Sequence, residues 1–403
     1  MADSDTLQTG VLELNTDPQA RQVIRIPYTK PIIQPGKEYR IDLSTRLKTQ
    51  ERWAPTGFEV AWDQLELKDW NLAGPSSDWP TGSVQLLTPY PEKWQITGNG
   101  FNYTFDRATG SLTSMVVEGK EMLQSPLQLN VWRAPIANEV DRWNGYTMRS
   151  RRWKAGFDAT LATDYYSNGI DALESVPLEV SAQPDGDRVV IHVRELVLTR
   201  GGATSFSMMD RYLNGLTLSG FECQYTFTIF ADGTIKVDNI VLPQGNMPQM
   251  LPRLGLSMML NNSLDAVAWY GRGPQENYPD RKTGYRIGQW ESTVHEMYEP
   301  YLIPQDYGLR TDTRWLQMTD EQGQGLHFAM NEPFNFNAYP FTTENLTRAL
   351  YTYQLLPATG ITLNLDYQTT GVGGTALPVL NGYRVYPHRY SHTLTIKPIR
   401  KKS

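Results

Sequence analysis

The chain has 403 residues, a formal net charge of −6 and a single cysteine. A chain of this length is expected to form two or three domains rather than one core. The acidic balance argues against nucleic-acid binding, because such proteins carry a basic surplus. No apolar run approaches the ~20 residues that span a bilayer. The start of the chain has neither the basic residues nor the apolar stretch of a signal peptide.

The first part of the chain alternates apolar and polar residues, as half-buried strands do. Strands are predicted at RQVIRIP (21–27), EYRIDLSTRL (38–47) and GFEVAWDQLEL (57–67). This first segment, residues 1–68, is shorter than the ~100 residues of a complete sandwich domain. We therefore predict a partial β-sandwich over residues 1–68.

A proline-rich stretch with little periodicity follows, and it predicts a linker over residues 69–91. Beyond it, residues 92–403 alternate strand patterns with the hairpin-forming pairs Asn99-Gly100, Asp185-Gly186 and Asp232-Gly233. There is no alternation of strands with long helices, so a parallel sheet or an α/β barrel is excluded. The pattern predicts one large antiparallel β-sandwich, with short helices within residues 142–153 and 292–301.

The only cysteine, Cys223, lies in the strand-like FECQYTFTIF. One cysteine can form neither an intramolecular disulfide nor a cysteine-based zinc site, and a buried, inert thiol is expected. His388 and His392 are four residues apart, but in a strand this spacing separates them by about 13 Å. They cannot chelate one ion, so we predict structural roles for them and no metal site.

Asn331-Glu332-Pro333 has the form of the acid/base motif of several sugar-cleaving α/β barrels. A glycosidase needs two carboxylates, one protonated and one ionised. Here the motif follows a strand pattern and no barrel is predicted. The sequence therefore favours a strand end that enters a turn.

The stretch YGRGPQENYPDR (270–281) combines glycine, proline and four charged residues. It lacks the third glycine and the following helix of a dinucleotide loop. One interpretation is a structural corner whose charges pair with one another, and the other exposes its carboxylates to a polar ligand. GVGG (371–374) is likewise either a flexible turn or a place where backbone closely approaches a ligand.

Several of these motifs together resemble the C-terminal region of the large β-galactosidases of glycoside hydrolase family 2. They are YGRGPQENYPDR, WRAPIANE (132–139), YEPYLIPQDYGLRTDTRWLQM (298–318), GVGG and YSHTLTIKP (390–398), in the family's order. The resemblance extends from about residue 8 to the end of the chain. It implies a partial immunoglobulin-like sandwich followed by a galactose-mutarotase-like supersandwich.

The resemblance also implies where the chemistry lies. In the family, the nucleophile and acid/base glutamates of a retaining mechanism lie in a preceding barrel domain, with the main ligands for Mg and Na. No catalytic residue, metal site or cofactor is therefore expected in this chain. The implied partners are the preceding catalytic domains or a large subunit, a β-galactoside and further copies of the enzyme, with no nucleic acid and no membrane. The implied setting is the bacterial cytoplasm, with the periplasm left open.

The resemblance assigns seven residues as candidates for the rim of the sugar pocket: Arg133, Glu276, Asn277, Asp280, Arg281, Gly373 and Gly374. The chain departs from the family where GVGGTALPVL replaces GVGGxxSWGP. Ala376 or Leu377 then stands near the position of a tryptophan that contacts sugar in many members. Ala137 and Glu139 depart from the family's RAPxDND pattern.

Two alternatives remain open at this point. The chain could be the corresponding part of a family 2 enzyme for another β-glycoside. It could also be a stand-alone carbohydrate-binding or epimerase-like module of mutarotase-like fold. The second alternative requires His192 or His327 to lie near Glu276 or Asp280.

Overall fold

A computed structural model describes residues 1–67, 79–140, 161–199, 219–374 and 379–401. The chain divides into two compact units, Met1–Trp79 and Pro80–Ser403. Every strand pairing in these ranges is antiparallel. The predicted all-β fold class is confirmed.

The first unit contains one two-stranded sheet, formed by β1 (Arg40–Arg46) and β2 (Glu59–Glu66). The strand predicted at residues 21–27 is wrong, because this segment has no regular structure and Val23 is fully exposed. An alternating pattern forms a strand only when a neighbouring backbone supplies hydrogen bonds. Within the described residues, this segment has no such neighbour.

A five-stranded sheet opens the second unit, in the order β3-β4-β5-β6-β7. Its strands are β3 (Gln85–Tyr90), β4 (Lys93–Gly98), β5 (Phe101–Asp106), β6 (Ser111–Val117) and β7 (Lys120–Glu121). The linker predicted for residues 69–91 thus extends too far, because β3 lies within it. β3 is the edge strand, a position where Pro89 is tolerated.

The larger sheet has twelve strands. They are β8 (Leu123–Asn130), β9 (Leu173–Asp185), β10 (Arg188–Thr199), β11 (Gly220–Phe230), β12 (Ile235–Gln244), β13 (Arg253–Asn261), β14 (Ala266–Gly273), β15 (Arg286–Thr293), β16 (Arg310–Thr319), β17 (Gly325–Tyr339), β18 (Gly360–Thr369) and β19 (Tyr390–Ile399). The main path is β15-β14-β16-β17-β19-β12-β11-β10-β9, and β13 pairs with β18 and β8. β18 also pairs with β17, so the three remaining strands join the same sheet.

The predicted hairpins are confirmed where the structure describes them. Asp232-Gly233 lies in the turn between β11 and β12, and Gly233 has a φ of 88°. Gly100 and Gly186 also have positive φ, at 74° and 64°, in the turns of their hairpins. These left-handed conformations are the reason glycine occupies the turns.

The two sheets of the second unit pack face to face. Phe105 of the small sheet contacts Phe227 of the large sheet edge-on, with ring centroids 5.5 Å apart. The hydroxyl of Tyr103 donates to the carbonyl oxygen of Gly233 at 2.7 Å, which joins the sheets through a buried hydrogen bond. Cys223 is buried in the same core, as predicted. The second unit is therefore a large β-sandwich.

Helices are few and short in the described ranges: α1 (Ala137–Val140), α2 (Leu161–Ser167) and α3 (Thr343–Arg348), with 3-10 turns at Thr352–Gln354 and Asn381–Tyr383. The helix predicted within residues 142–153 lies outside the described residues. The helix predicted within residues 292–301 is wrong, because β15 continues to Thr293 and only hydrogen-bonded turns follow in this segment, over residues 294–297. Pro300 lies at its end and cannot donate a backbone hydrogen bond to extend them into a helix.

Candidate functional site

The backbone that follows β18 is held by side chains from two other parts of the second unit. We call residues 370–374 the glycine loop. Arg133 and Asn138 reach it from the connection after β8, and Asp280 reaches it from the connection between β14 and β15. The motifs WRAPIANE, GRGPQENYPDR and GVGG, separate in sequence, therefore meet at one place.

Three consecutive carbonyl groups of the glycine loop accept hydrogen bonds from these side chains. Arg133 donates from Nη1 to Thr370 at 2.8 Å and from Nη2 to Gly371 at 3.2 Å. Asn138 donates from Nδ2 to Val372 at 2.7 Å. Irregular backbone needs such partners when it leaves a sheet, because an unpaired polar group in the interior is costly.

The amide groups of the same loop are bound by the carboxylate of Asp280. Oδ1 accepts from the N–H of Val372 at 3.0 Å, and Oδ2 accepts from the N–H of Gly373 at 2.7 Å. These bonds are charge-assisted and correspondingly strong. Gly371 must lack a side chain, because a Cβ there would lie 2.4 Å from Cγ of Asp280. Gly373 has a φ of 68°, which also favours glycine.

Arg133 is fixed by a buried ion pair with Glu139. Nη2 of Arg133 lies 2.8 Å from Oε1 of Glu139, and the side chains are 0% and 3% exposed. Oε2 of Glu139 also accepts from the backbone N–H of Ile136 at 3.0 Å. Burial by itself lowers the pKa of Arg133, but the charge and hydrogen bonds of Glu139 outweigh it and raise the pKa. The guanidinium therefore stays charged and donates its hydrogen bonds to the carbonyl groups of the glycine loop.

Glu276 and Arg281 pair with each other within the GRGPQENYPDR motif. Oε1 of Glu276 accepts from Nη2 of Arg281 at 2.7 Å and also from the hydroxyl of Tyr301. Oε2 accepts from the backbone N–H of Gly308 at 2.9 Å. Both oxygens of this buried carboxylate are thus occupied. Of the two interpretations left open by the sequence, these contacts agree with a structural corner whose charges pair with one another.

Asn277 fastens the same motif to the start of β16. It is fully buried, and its backbone N–H donates to the carbonyl oxygen of Leu309 at 2.8 Å. Its Oδ1 accepts from the backbone N–H of Thr311 at 3.1 Å, and its Nδ2 donates to the carbonyl oxygen of Gln275 at 3.1 Å. This asparagine holds the corner in place rather than facing a ligand.

The structure thus separates the seven candidate residues into two groups. The first group lies at the glycine loop: Arg133 and Asp280 bind its backbone, Gly373 is one of its bound residues, and Gly374 is its exposed last residue. The second group is Glu276, Asn277 and Arg281, which lie in the same motif as Asp280 and form the corner described above. Residues 375–378, which include Ala376 and Leu377, lie outside the described residues.

The sequence analysis missed a buried charged network that adjoins Arg133. Arg253 lies between two carboxylates, with Nη2 3.2 Å from Asp306 and Nε 3.5 Å from Asp366, and all three side chains are 0% exposed. The backbone N–H of Asp306 donates to the carbonyl oxygen of Ala134 at 3.1 Å. Burial raises the pKa of Asp366 to about 6, although the charge of Arg253 lowers it. Charged residues inside the apolar strands β13 and β18 were the sequence features that could have revealed this network.

The Asn-Glu-Pro motif does not end a strand. Glu332 lies inside β17, which continues to Tyr339, so the predicted strand end is wrong. β17 exchanges partners around this motif, since residues before it pair with β19 and residues after it pair with β18. The motif marks that exchange, and Glu332 itself is exposed.

His192 and His327 have neutral hydrogen-bond partners, whereas Nδ1 of the exposed His295 lies 3.0 Å from Oδ1 of Asp265. His192 lies 3.1 Å from the hydroxyl of Thr226, and His327 lies 3.3 Å from the amide nitrogen of Gln317. The partners of Glu276 and Asp280 are those given above, so the pair required by the epimerase-like alternative is not formed.

The predicted strand position of His388 is wrong, because β19 begins only at Tyr390; His388 packs on Tyr390 with ring centroids 4.1 Å apart. His392 stacks on Tyr367 at 3.9 Å. Over the described part of the chain, no group of three or more His, Cys, Asp or Glu side chains is arranged to hold a metal. In the same part, no helix is long and apolar enough to cross a membrane.

The fold and the loop site define an all-β protein with a small first unit and a large sandwich. Residues 97–396 match the family described as beta galactosidase small chain, and residues 1–68 match beta-galactosidase, domain 4. The chain belongs to the β-galactosidase small chain family. The resemblance to the C-terminal part of these enzymes, predicted from the motifs, is confirmed.

Curated relatives agree with this assignment. A beta-galactosidase of Priestia megaterium (strain DSM 319 / IMG 1521) is 30% identical over 395 residues, which cover 96% of this chain and 34% of the relative. Beta-galactosidase 2 of Enterobacter cloacae is 29% identical over 372 residues, covering 92% and 33%. The chain thus spans about a third of the length of these relatives. A solved GalM/aldose epimerase homologue from C. elegans aligns with 79% of this chain and all of its own, at a TM-score of 0.41 and 10% identity.

Proposed function

We propose that the chain is the non-catalytic C-terminal portion of a retaining β-galactosidase that hydrolyses terminal β-D-galactosides. The match of residues 97–396 to the small-chain family is the observation that carries this proposal. The relatives that carry the name beta-galactosidase are three times as long, which leaves room for catalytic domains. A chain with one cysteine needs no oxidising compartment for an internal disulfide, so the proposed location is the bacterial cytoplasm, with the periplasm left open.

The acids at the candidate site support a non-catalytic role. A retaining glycosidase needs a nucleophile and an acid/base group about 5 to 5.5 Å apart, both able to reach the sugar. Glu276 and Glu139 are buried and bonded to arginines, and Asp280 is bonded to loop amides. The nucleophile, the acid/base and any Mg or Na therefore belong to the preceding catalytic domains in this proposal.

The role of the large sandwich is to form part of the rim of the sugar pocket. Gly373 and Gly374 offer backbone with no side chain, so a substrate or a partner domain can approach closely. Arg133 and Asp280 hold that backbone in one conformation. Glu276, Asn277 and Arg281 brace the corner that carries Asp280. Such preorganisation is what a rim must supply, because a loose loop loses entropy when substrate binds.

The first unit supports the proposal of a partner. Val11, Val23 and Ile32 are 91%, 100% and 92% exposed, and in this proposal the preceding domains cover these apolar side chains. The proposed partners are the preceding catalytic domains or a large subunit, together with further copies of the enzyme. Nucleic acid and membrane are not proposed as partners, since the chain carries a net negative charge, which both of these negatively charged partners would repel.

The test is reconstitution of hydrolysis of a nitrophenyl β-D-galactoside. Three samples are compared: the chain alone, the two thirds of the Priestia megaterium relative that this chain does not match, and an equimolar mixture. The proposal predicts turnover only in the mixture. A second mixture, containing the relative's own matching third, shows that the larger fragment is competent.

Turnover by the chain alone, abolished by Glu332→Gln, would contradict the proposal and move the chemistry to the exposed Asn-Glu-Pro motif. A silent mixture beside an active control mixture would also contradict it. Parallel assays with nitrophenyl β-glucoside and β-glucuronide show whether this chain shifts the substrate preference of the relative's catalytic part away from that of the control mixture. A shift from the β-galactoside to either substrate, absent from the control mixture, would overturn the assignment to β-galactosides.

A further inference from the structure

A polar surface cavity of about 640 Å³ lies at one end of the large sandwich. Turns of two hairpins, the chain segment before β3 and the end of β19 meet around it. Its lining residues are Thr81, Gly82, Ser83, Gln85, Thr97, Gly98, Asn99, Ala231, Asp232 and Arg400. None of them belongs to the glycine loop or to the corner beside it, so this is a separate place on the molecule.

Arg400 is fixed at the cavity with donors left over. Its Nη2 donates to the carbonyl oxygen of Asn99 at 2.6 Å and to that of Asp232 at 3.1 Å, which braces both hairpin turns. A guanidinium has five N–H groups. In the described residues, Nε and Nη1 have no hydrogen-bond acceptor. A half-buried, oriented donor group therefore remains for a ligand.

Asp232 is an equally rigid acceptor. Oδ1 accepts from the backbone N–H of Thr234 at 2.8 Å, and Oδ2 accepts from its hydroxyl at 2.9 Å. A carboxylate can accept about four hydrogen bonds. Each oxygen thus keeps accepting capacity, while its position is set by the turn between β11 and β12.

The remaining polar groups of the cavity both donate and accept. They are the hydroxyls of Thr81, Ser83 and Thr97 and the amides of Gln85 and Asn99. The single cation and the single anion cancel in formal charge. A phosphate would face Asp232, a cation would face Arg400, and an aromatic base would find no aromatic side chain in this lining. The ligand that matches the lining is neutral and rich in hydroxyl groups.

We propose that this cavity is a saccharide-binding site, separate from the glycine loop and sized for a mono- or disaccharide. Its volume lies within the ~300–1,000 Å³ of ligand pockets. The proposal goes beyond the proposed function and does not depend on hydrolysis. Without an aromatic platform in the lining, recognition rests on hydrogen bonds, so the site selects for the arrangement of hydroxyl groups.

The test is a ¹H–¹⁵N TROSY titration of the intact chain with lactose, galactose and glucose, and separately with inorganic phosphate. The proposal predicts saturable shifts at the backbone amides of Gly98, Asn99 and Gly233 with at least one sugar. Asp232→Asn should weaken that binding roughly tenfold, because a charge-assisted bond is lost. Thr97→Val removes one hydroxyl at constant shape and should weaken it several-fold.

The matched control is Thr113→Val, which removes an exposed strand hydroxyl outside the cavity and should leave binding unchanged. Folding of each variant is checked by its unperturbed spectrum away from the cavity. Absence of saturable shifts with all three sugars overturns the proposal. So do sugar-induced shifts confined to the glycine loop, saturable binding of phosphate alone, or equal binding by the wild type and both cavity variants.

Discussion

The carboxylate of Asp280 accepts a hydrogen bond at 2.7 Å from the backbone N–H of Gly373, 93 residues later in the chain. This contact ties the connection after β14 to the loop after β18. Its second oxygen binds the neighbouring N–H of Val372, so one side chain fixes two successive amides. The carboxylate of Asp280, in the GRGPQENYPDR motif, therefore binds the glycine loop and does not point into solvent.

Replacing the loop-binding carboxylate tests this relationship. Asp280→Asn keeps the shape but leaves one loop N–H facing an amide NH₂ group. We expect a loss of about 1–3 kcal/mol in the free energy of unfolding, measured with urea. In the reconstituted enzyme, kcat/KM should fall. The control is Asp185→Asn, whose exposed pair with Arg188 should change stability by less than about 1 kcal/mol. Equal effects of the two substitutions would contradict the role of Asp280.

The space at Gly371 provides a steric test. Gly371→Ala would place Cβ 2.4 Å from Cγ of Asp280, so the carboxylate or the loop must move. We expect a destabilisation of about 1–3 kcal/mol, typical of overpacking. Gly284→Ala is the matched control, because a Cβ there meets nothing within 4 Å and its φ is not positive. It should be neutral or stabilising by up to about 1 kcal/mol. Similar thermal stability of both variants would show that the contact with Asp280 is not tight.

The buried network of Arg253, Asp306 and Asp366 should not tolerate the loss of a charge. Asp306→Asn leaves Arg253 with one carboxylate, at 3.5 Å, in a site without exposure. We expect a loss of about 3–5 kcal/mol, since removing one partner leaves a buried charge poorly compensated. Glu344→Gln, which breaks an exposed helical pair with Arg348, should cost less than about 1 kcal/mol. Urea midpoints compare the two, and a small effect of Asp306→Asn would contradict the burial of the network.

The same network predicts a pH dependence. Burial raises the pKa of Asp366 to about 6, above an unfolded value of about 4. The folded state then binds this proton more tightly than the unfolded state does. Its contribution to stability is full below about pH 4 and is lost as the pH rises through about 6.

The measurement is the difference in unfolding free energy between the wild type and Asp366→Asn from pH 4 to 7. The asparagine variant mimics the neutral group at every pH. We expect the wild type to lose at most roughly 3 kcal/mol relative to the variant across this range. A wild type that instead gains stability relative to the variant as the pH rises would show that Arg253 lowers the pKa of Asp366 below its ordinary value.

Much of the fold followed from local patterns. The Asp232-Gly233 hairpin, the strands on either side and the buried Cys223 were predicted because turn chemistry and alternation are local properties. Residues 21–27 alternate equally well but form no strand in the structure. The sequence of a strand does not reveal whether another backbone pairs with it, so this error was outside the reach of periodicity.

The candidate site was predictable only in part. The resemblance singled out Arg133 and Asp280, but only the structure shows both bound to backbone after β18. Asn138 and Asp306 were missed, because their partners Val372 and Arg253 lie 234 and 53 residues away in the chain. Contacts between distant irregular segments leave no periodic trace in the sequence.

The most direct test of the central claim is a chimeric enzyme. This chain replaces the corresponding third of the Priestia megaterium relative, and kcat/KM is measured with nitrophenyl β-D-galactoside. The proposed role predicts a hydrolase whose activity falls with Asp280→Asn in the transplanted part, while the isolated chain remains inactive. A folded chimera without activity, or hydrolysis by the isolated chain, would contradict the assignment of this chain as the non-catalytic portion of a β-galactosidase.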